Sequence, residues 1–118
     1  MIGEDPDTAR GDETIGYIVI ETGSGSISGM NYVTALGADT VEGYTNSPPY
    51  SYSLSGLSSA SVAVISQAAM DGNNGGWAAL YGANPVSTTS INLAIDEDMA
   101  NDTERAHINE QVGYIVFE

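Results

Sequence analysis

The chain has no cysteine and no lysine, and only one histidine, one tryptophan and one phenylalanine among 118 residues. Each shortage removes a class of explanation. Without cysteine there is no disulfide framework, no thiolate metal site and no thiol nucleophile. Two arginines stand against 16 acidic residues, giving a formal net charge of -14. Nucleic acid and anionic lipid are therefore repelled, and a charged partner would be a cation. No run of 18 apolar residues is present, so no helical membrane insertion is expected. The chain contains no G-x-S-x-G elbow, and its single histidine has no evident serine partner. The acidic side chains crowd onto one loop, where mutual repulsion and solvation are expected, not a spaced pair of catalytic carboxylates. A non-enzymatic protein is the expectation.

What is present is a repeat. Residues 12–21 read DETIGYIVIE and residues 109–118 read NEQVGYIVFE. Six of these ten positions are identical: Glu13/Glu110, Gly16/Gly113, Tyr17/Tyr114, Ile18/Ile115, Val19/Val116 and Glu21/Glu118. Upstream, Asp7-Thr8-Ala9-Arg10 parallels Asp102-Thr103-Glu104-Arg105 with a small gap. The offset of 97 residues is close to one domain length. This suggests a slice of a tandem array, with residues 1–21 as the tail of one repeat and 22–118 as the next. Such an array favours a surface or extracellular module over a self-contained enzyme. The acids follow the repeat: six lie in residues 1–21, seven in 96–118 and three between them.

The chain reads as all-β. Segments rich in Val, Ile, Tyr, Ser and Thr are separated at even spacing by Gly, Pro, Asn and Asp clusters, the pattern of an antiparallel β-sandwich of about seven or eight strands. Strands are expected at about 15–21, 26–35, 40–44, 50–55, 60–69, 76–82, 90–96 and 111–118. A hairpin is expected at Thr22-Gly23-Ser24-Gly25, and a glycine-rich turn at 71–76. Residues 112–118 are apolar on both faces, which predicts a central strand or one covered on both sides. Its copy at 15–21 would be an aggregation-prone edge unless it paired beside 111–118 or with a neighbouring copy.

The ending from His107 to Glu118 resembles the closing strand of H-type lectin-like modules of bacterial surface and secreted proteins, where an E-x-V-G-Y strand followed by apolar residues and a glutamate recurs. The stretch from Ser47-Pro48-Pro49-Tyr50 to Ser66-Gln67 is similar to the middle of such modules. The resemblance covers roughly residues 22–118. It implies a compact antiparallel sandwich, carbohydrate or cell-surface glycan as ligand, and a homo-oligomer.

Three groups of residues are candidates for a site. The first is acidic. Asp96, Asp98, Asp102 and Glu104 pack oxygen ligands into one short loop, as Ca²⁺ would need, although the spacing is not that of an EF-hand. Their alternative is a solvated loop with Arg105 bridging a neighbouring carboxylate. The second is aromatic. Trp77, Tyr44 and Tyr50 could offer flat faces to a sugar, with Asp71, Asn73 and Asn74 supplying hydrogen bonds; the alternative puts Trp77 in the core. The third is Arg105 with His107, as ligand contacts or as surface residues. Two functions follow: an extracellular carbohydrate-binding or adhesion module stiffened by Ca²⁺, or a structural module that self-associates through its terminal strands.

Overall fold

In the computed structural model, residue 9 and residues 11–100 and 103–118 are described. They form seven strands and no helix: β1 Gly23–Ile27, β2 Met30–Leu36, β3 Tyr50–Ser53, β4 Val62–Gln67, β5 Gly76–Leu80, β6 Ser90–Glu97 and β7 Val112–Phe117. All pairing between them is antiparallel, in a four-stranded sheet of order β1-β2-β7-β4 and a three-stranded sheet of order β3-β6-β5. The all-β sandwich read from the sequence is the observed architecture.

The core lies between the sheets and is built by alternation. From β6 it takes Ile91, Leu93 and Ile95, and from β7 Val112, Tyr114 and Val116; β3 adds Tyr52, and the connection after β2 adds Val41. Ile91, Leu93, Ile95, Val112 and Val116 have no exposed surface. Each such side chain stabilises the fold by about 1.5–3 kcal/mol relative to an exposed position. Tyr52 closes one end. Its hydroxyl donates to the Ala38 carbonyl at 2.6 Å and accepts the Val112 amide at 3.3 Å.

β7 is central, as its two-sided pattern predicts. Ile115 pairs with Thr34 of β2 on one edge and with Val64 of β4 on the other. Ile115 and Thr34 face away from the core yet are 8 % and 5 % exposed. Residues 16–20 run over this outer face, and together they bound a groove of about 900 Å³.

Four sequence expectations need correction. Residues 15–21 form no strand, because both edges of β7 are already occupied by β2 and β4. The expected strand 26–35 is two strands, split by a two-residue turn at Ser28-Gly29. The expected turn at 22–25 is instead the start of β1. Residues 40–44 make only isolated bridges, Val41 to Glu110 and Gly43 to Ile95, so this segment stitches the two sheets together without belonging to either.

The Ser28-Gly29 turn puts both residues at positive φ, 52° and 84°. This is the backbone of a type I′ hairpin, where glycine is at ease and serine is not. Asparagine tolerates that conformation better. Ser28→Asn is expected to stabilise the chain by about 0.5–1 kcal/mol, and Gly29→Val to destabilise it by more than that. Thermal denaturation of both variants checks the pair of signs.

Candidate functional site

The longest connection among the described strands runs from β6 to β7 and crosses from one sheet to the other. It is anchored by a buried polar triad. His107 places Nδ1 2.5 Å from Glu97 Oε1 and Nε2 2.9 Å from Glu110 Oε1. Side-chain exposure is 1 % for His107, 2 % for Glu97 and nil for Glu110. Glu97 ends β6 and Glu110 lies two residues before the start of β7, so the imidazole ties one sheet to the other. The Asp71 and Gly72 amides also donate to Glu110 Oε1, at 2.8 and 3.1 Å. Gly72 lies so close to the imidazole that a Cβ there would overlap ring atoms of His107. Residues 41–45 run alongside, with the Gly43 amide donating to the His107 carbonyl at 3.0 Å and the Thr45 amide to the Arg105 carbonyl at 3.2 Å.

The charges of the triad are coupled. Burial disfavours the imidazolium of His107, but its hydrogen bonds and charge contacts with Glu97 and Glu110 prevail and raise its pKa. Burial also pushes the Glu97 carboxyl up, and here burial prevails over the attraction of His107. For Glu110, burial is outweighed by the Gly72 amide, His107 and the Asp71 amide, so its pKa is lowered. Above the triad opens a hollow of about 550 Å³, lined by Asp39, Glu42, Asn46, Asp71, His107 and Asn109 among others. The Tyr50 hydroxyl braces its wall, lying 2.9 Å from Glu42 Oε2 and against the Asn46 carbonyl.

A second constellation occupies the outer face of the three-stranded sheet. Trp77 of β5 pairs directly with Asp96 of β6, so their side chains share one face. Arg105 Nε donates to Asp96 Oδ1 at 2.6 Å. Its guanidinium carbon stands 3.8 Å from the centroid of the Tyr44 ring, and Tyr44 meets Tyr81 edge-on at 5.0 Å. Trp77 is 51 % exposed, so it does not fill the core. A flat aromatic surface thus borders a fixed acid–base pair, an arrangement able to stack on an apolar ring face while donating and accepting hydrogen bonds.

The residues singled out from the sequence therefore divide. Trp77, Tyr44, Arg105 and Asp96 come together; Asp71 and His107 belong to the hollow and its base, with Tyr50 behind them. Asn73 is exposed and Asn74 half-buried in the turn before β5, and neither lines the hollow. His107 is a buried anchor, contrary to its expected surface placement, because two carboxylates satisfy both ring nitrogens. Of the acidic loop, Asp96 is committed to Arg105, Asp98 Oδ1 accepts the Ala100 amide and Glu104 Oε2 the Ala106 amide. Asp102 lies outside the described residues. Among the described residues no three histidine, aspartate or glutamate side chains are grouped so as to hold a metal ion. In the sequence Glu97 stands within the acidic Asp96-Glu97-Asp98 run, with nothing to mark it as a partner of His107, and Glu110 belongs to no candidate site. The available signal is the retention of Glu110 as Glu13 in the repeat, two residues before an apolar run.

No family model, curated protein or solved structure matches the chain.

The triad makes stability depend on pH in a definite direction. His107 has a raised folded pKa, so its contribution is complete below the ordinary value of 6.5 and is lost as pH rises through the raised one. Glu97, also raised, acts the same way starting from 4.5. Glu110 is lowered, so its contribution is present above 4.5 and lost as pH falls through its lowered value. Urea denaturation between about pH 5 and pH 9 should show the parent losing stability towards alkaline pH. His107→Gln should be less stable throughout and should flatten that decline. An unchanged slope would rule out the imidazole as its source.

Proposed function

We propose that the chain is a non-enzymatic carbohydrate-binding module of an extracellular or cell-surface array, with its ligand face on the outer side of the three-stranded sheet. The observation that carries this reading is the convergence of Trp77, Asp96, Arg105 and Tyr44 on that face, although they lie far apart in sequence. A pyranose ring can lay its C–H face on Trp77 while its hydroxyls meet Asp96 and Arg105. The ion pair holds both polar groups before binding, so little ordering entropy remains to be lost. The net charge of -14 favours a neutral sugar over an anionic one. The resemblance of the closing strand to H-type lectin-like modules points the same way. The reading invokes no catalysis and no metal ion.

Trp77 is the only tryptophan, so its fluorescence reports on this face alone. Neutral saccharides identified on a broad glycan array should change its emission saturably. Loss of a central aromatic contact costs roughly tenfold or more in affinity, so Tyr44→Ala and Arg105→Ala should weaken binding by that order. Trp77→Ala, followed by calorimetry, should do the same with little change in the melting midpoint. An array without hits would sink this reading, as would a Trp77→Ala variant with parental affinity.

A second reading is favoured by a separate observation. Ile15, Tyr17, Ile18 and Val19 are 72–88 % exposed, an apolar run left bare in a chain otherwise rich in surface acids. Such a run marks an association surface. In this reading the module self-associates through its N-terminal segment. Light scattering should give a mass that rises with concentration for the full chain and stays monomeric after deletion of residues 1–21.

A further inference from the structure

We propose that residues 12–21 are a second β7, and that their binding site is the β7 position between β2 and β4 of another copy of this module. The inference rests on the self-association reading and specifies its geometry. Every position that β7 buries is met by the duplicate. Glu110, Val112, Tyr114, Ile115 and Val116 are the buried residues of 109–118. Their counterparts Glu13, Ile15, Tyr17, Ile18 and Val19 are identical at four positions, and at the fifth the change adds one methylene. The other three differences fall where the surroundings are more open: Asn109 is exposed, and Gln111 and Phe117 are half-buried.

The two glutamates that frame the strand carry the argument beyond hydrophobic likeness. Glu110 receives the Asp71 and Gly72 amides and His107. Glu118 receives the Ser58 amide and hydroxyl through one oxygen, at 2.5 and 2.7 Å, and the Asn31 side-chain amide through the other, at 2.6 Å. These donors hold the Glu118 carboxyl down at about 2. The duplicate keeps both, as Glu13 and Glu21, at the same separation. A carboxylate at each end matched to fixed donors sets the register of a strand whose two apolar faces alone would set it weakly.

The segment cannot reach the β7 position of its own copy. On β2, position 118 lies beside Asn31, whose carbonyl accepts the Glu118 amide at 3.0 Å, whereas β1 begins at Gly23 opposite Thr34. From position 118 to Gly23 is therefore two strand spacings sideways and three residues along, roughly 14 Å. The link from Glu21 to Gly23 is two Cα steps and spans less than about 8 Å. A second copy escapes this limit, and its β1 would then start two residues beyond the acceptor's sheet. The module defined in this way, residues 22–118, has the same 97-residue length as the repeat offset, so successive modules would abut with Thr22 alone between them. In the intact chain the resident β7 competes at high effective concentration.

Two experiments on the full-length chain test the proposal. The first writes the duplicate's sequence into β7 with Asn109→Asp, Gln111→Thr, Val112→Ile and Phe117→Ile. This variant should melt cooperatively within about 5 °C of the parent; loss of cooperative folding would overturn the equivalence. The second disables the resident strand with Val116→Asp, which puts a charge in the core. That chain should recover strand content only as head-to-tail multimers held by residues 12–21, and adding Val19→Asp should leave an unfolded monomer. Identical behaviour of the single and double variants would overturn the pairing. A parent that stays monomeric at every concentration while Val116→Asp multimerises would retire spontaneous self-association and leave the strand equivalence intact.

Discussion

Everything in this fold is arranged around a strand that is apolar on both faces. β7 must be covered twice and paired twice to be stable in water. The core satisfies one face through Val112, Tyr114 and Val116, and β2 and β4 satisfy both edges. The remaining face, with Ile115 at its centre, is shielded by Thr34 and by the passage of residues 16–20. The sheet order follows from this requirement. The strands with weaker patterns, the glycine- and serine-rich β1 and the half-exposed β4, take the edges, where less is asked of them.

Apolar surface alone does not choose a register. The polar groups at the strand's two ends do so, and they also tie β7 to the rest of the molecule. At one end Glu110 joins the 71–72 turn to His107 and through it to Glu97 of β6; at the other Glu118 joins β2 to the loop before β4. Buried ionisable groups of this kind contribute little when replaced as a set by well-packed apolar residues. They are costly when one partner is removed, because a charge is then left uncompensated. They therefore penalise misalignment more than they add to stability. The same logic explains how residues 103–111, tied to Glu97 of one sheet through His107, enter the other sheet in a set alignment.

How much of this was legible in the sequence depended on the range of the interaction. The all-β class, the central position of 112–117 and the alternation in 90–97 follow from side-chain period, which is local. The turn at Ser28-Gly29 is hidden because serine at positive φ is an uncommon choice, and the nearby Thr22-Gly23-Ser24-Gly25 has the stronger turn composition. Residues 15–21 have the composition of a strand. Pairing, however, is decided by free edges, and composition cannot reveal that β2 and β4 already occupy both edges of β7. His107 shows the same limit. A lone histidine among polar residues reads as surface, and only the meeting of Glu97 with Glu110 across the sandwich makes burial tolerable. The aromatic residues are visible one by one in the sequence, but their assembly depends on the β5–β6 register that sets Trp77 opposite Asp96.

The two exposed features on which the proposals rest lie on opposite outer faces. Trp77 lies on the three-stranded sheet, joined through Asp96 to Arg105 and Tyr44, and residues 16–20 cross the four-stranded one. Neither obstructs the other, since the whole core separates them. This separation matters because the two proposed functions would compete if they shared a surface. Strand pairing along an array leaves the aromatic face of every module open, and short links between modules would hold those faces at regular intervals. Weak sugar contacts repeated at fixed spacing gain avidity without any new contact within a module. The acids add a constraint of their own. They concentrate in the duplicated tail and the loop before β7, so in the proposed pairing chains approaching at random would repel, and association would be favoured where Glu13 and Glu21 meet donors like those of Glu110 and Glu118.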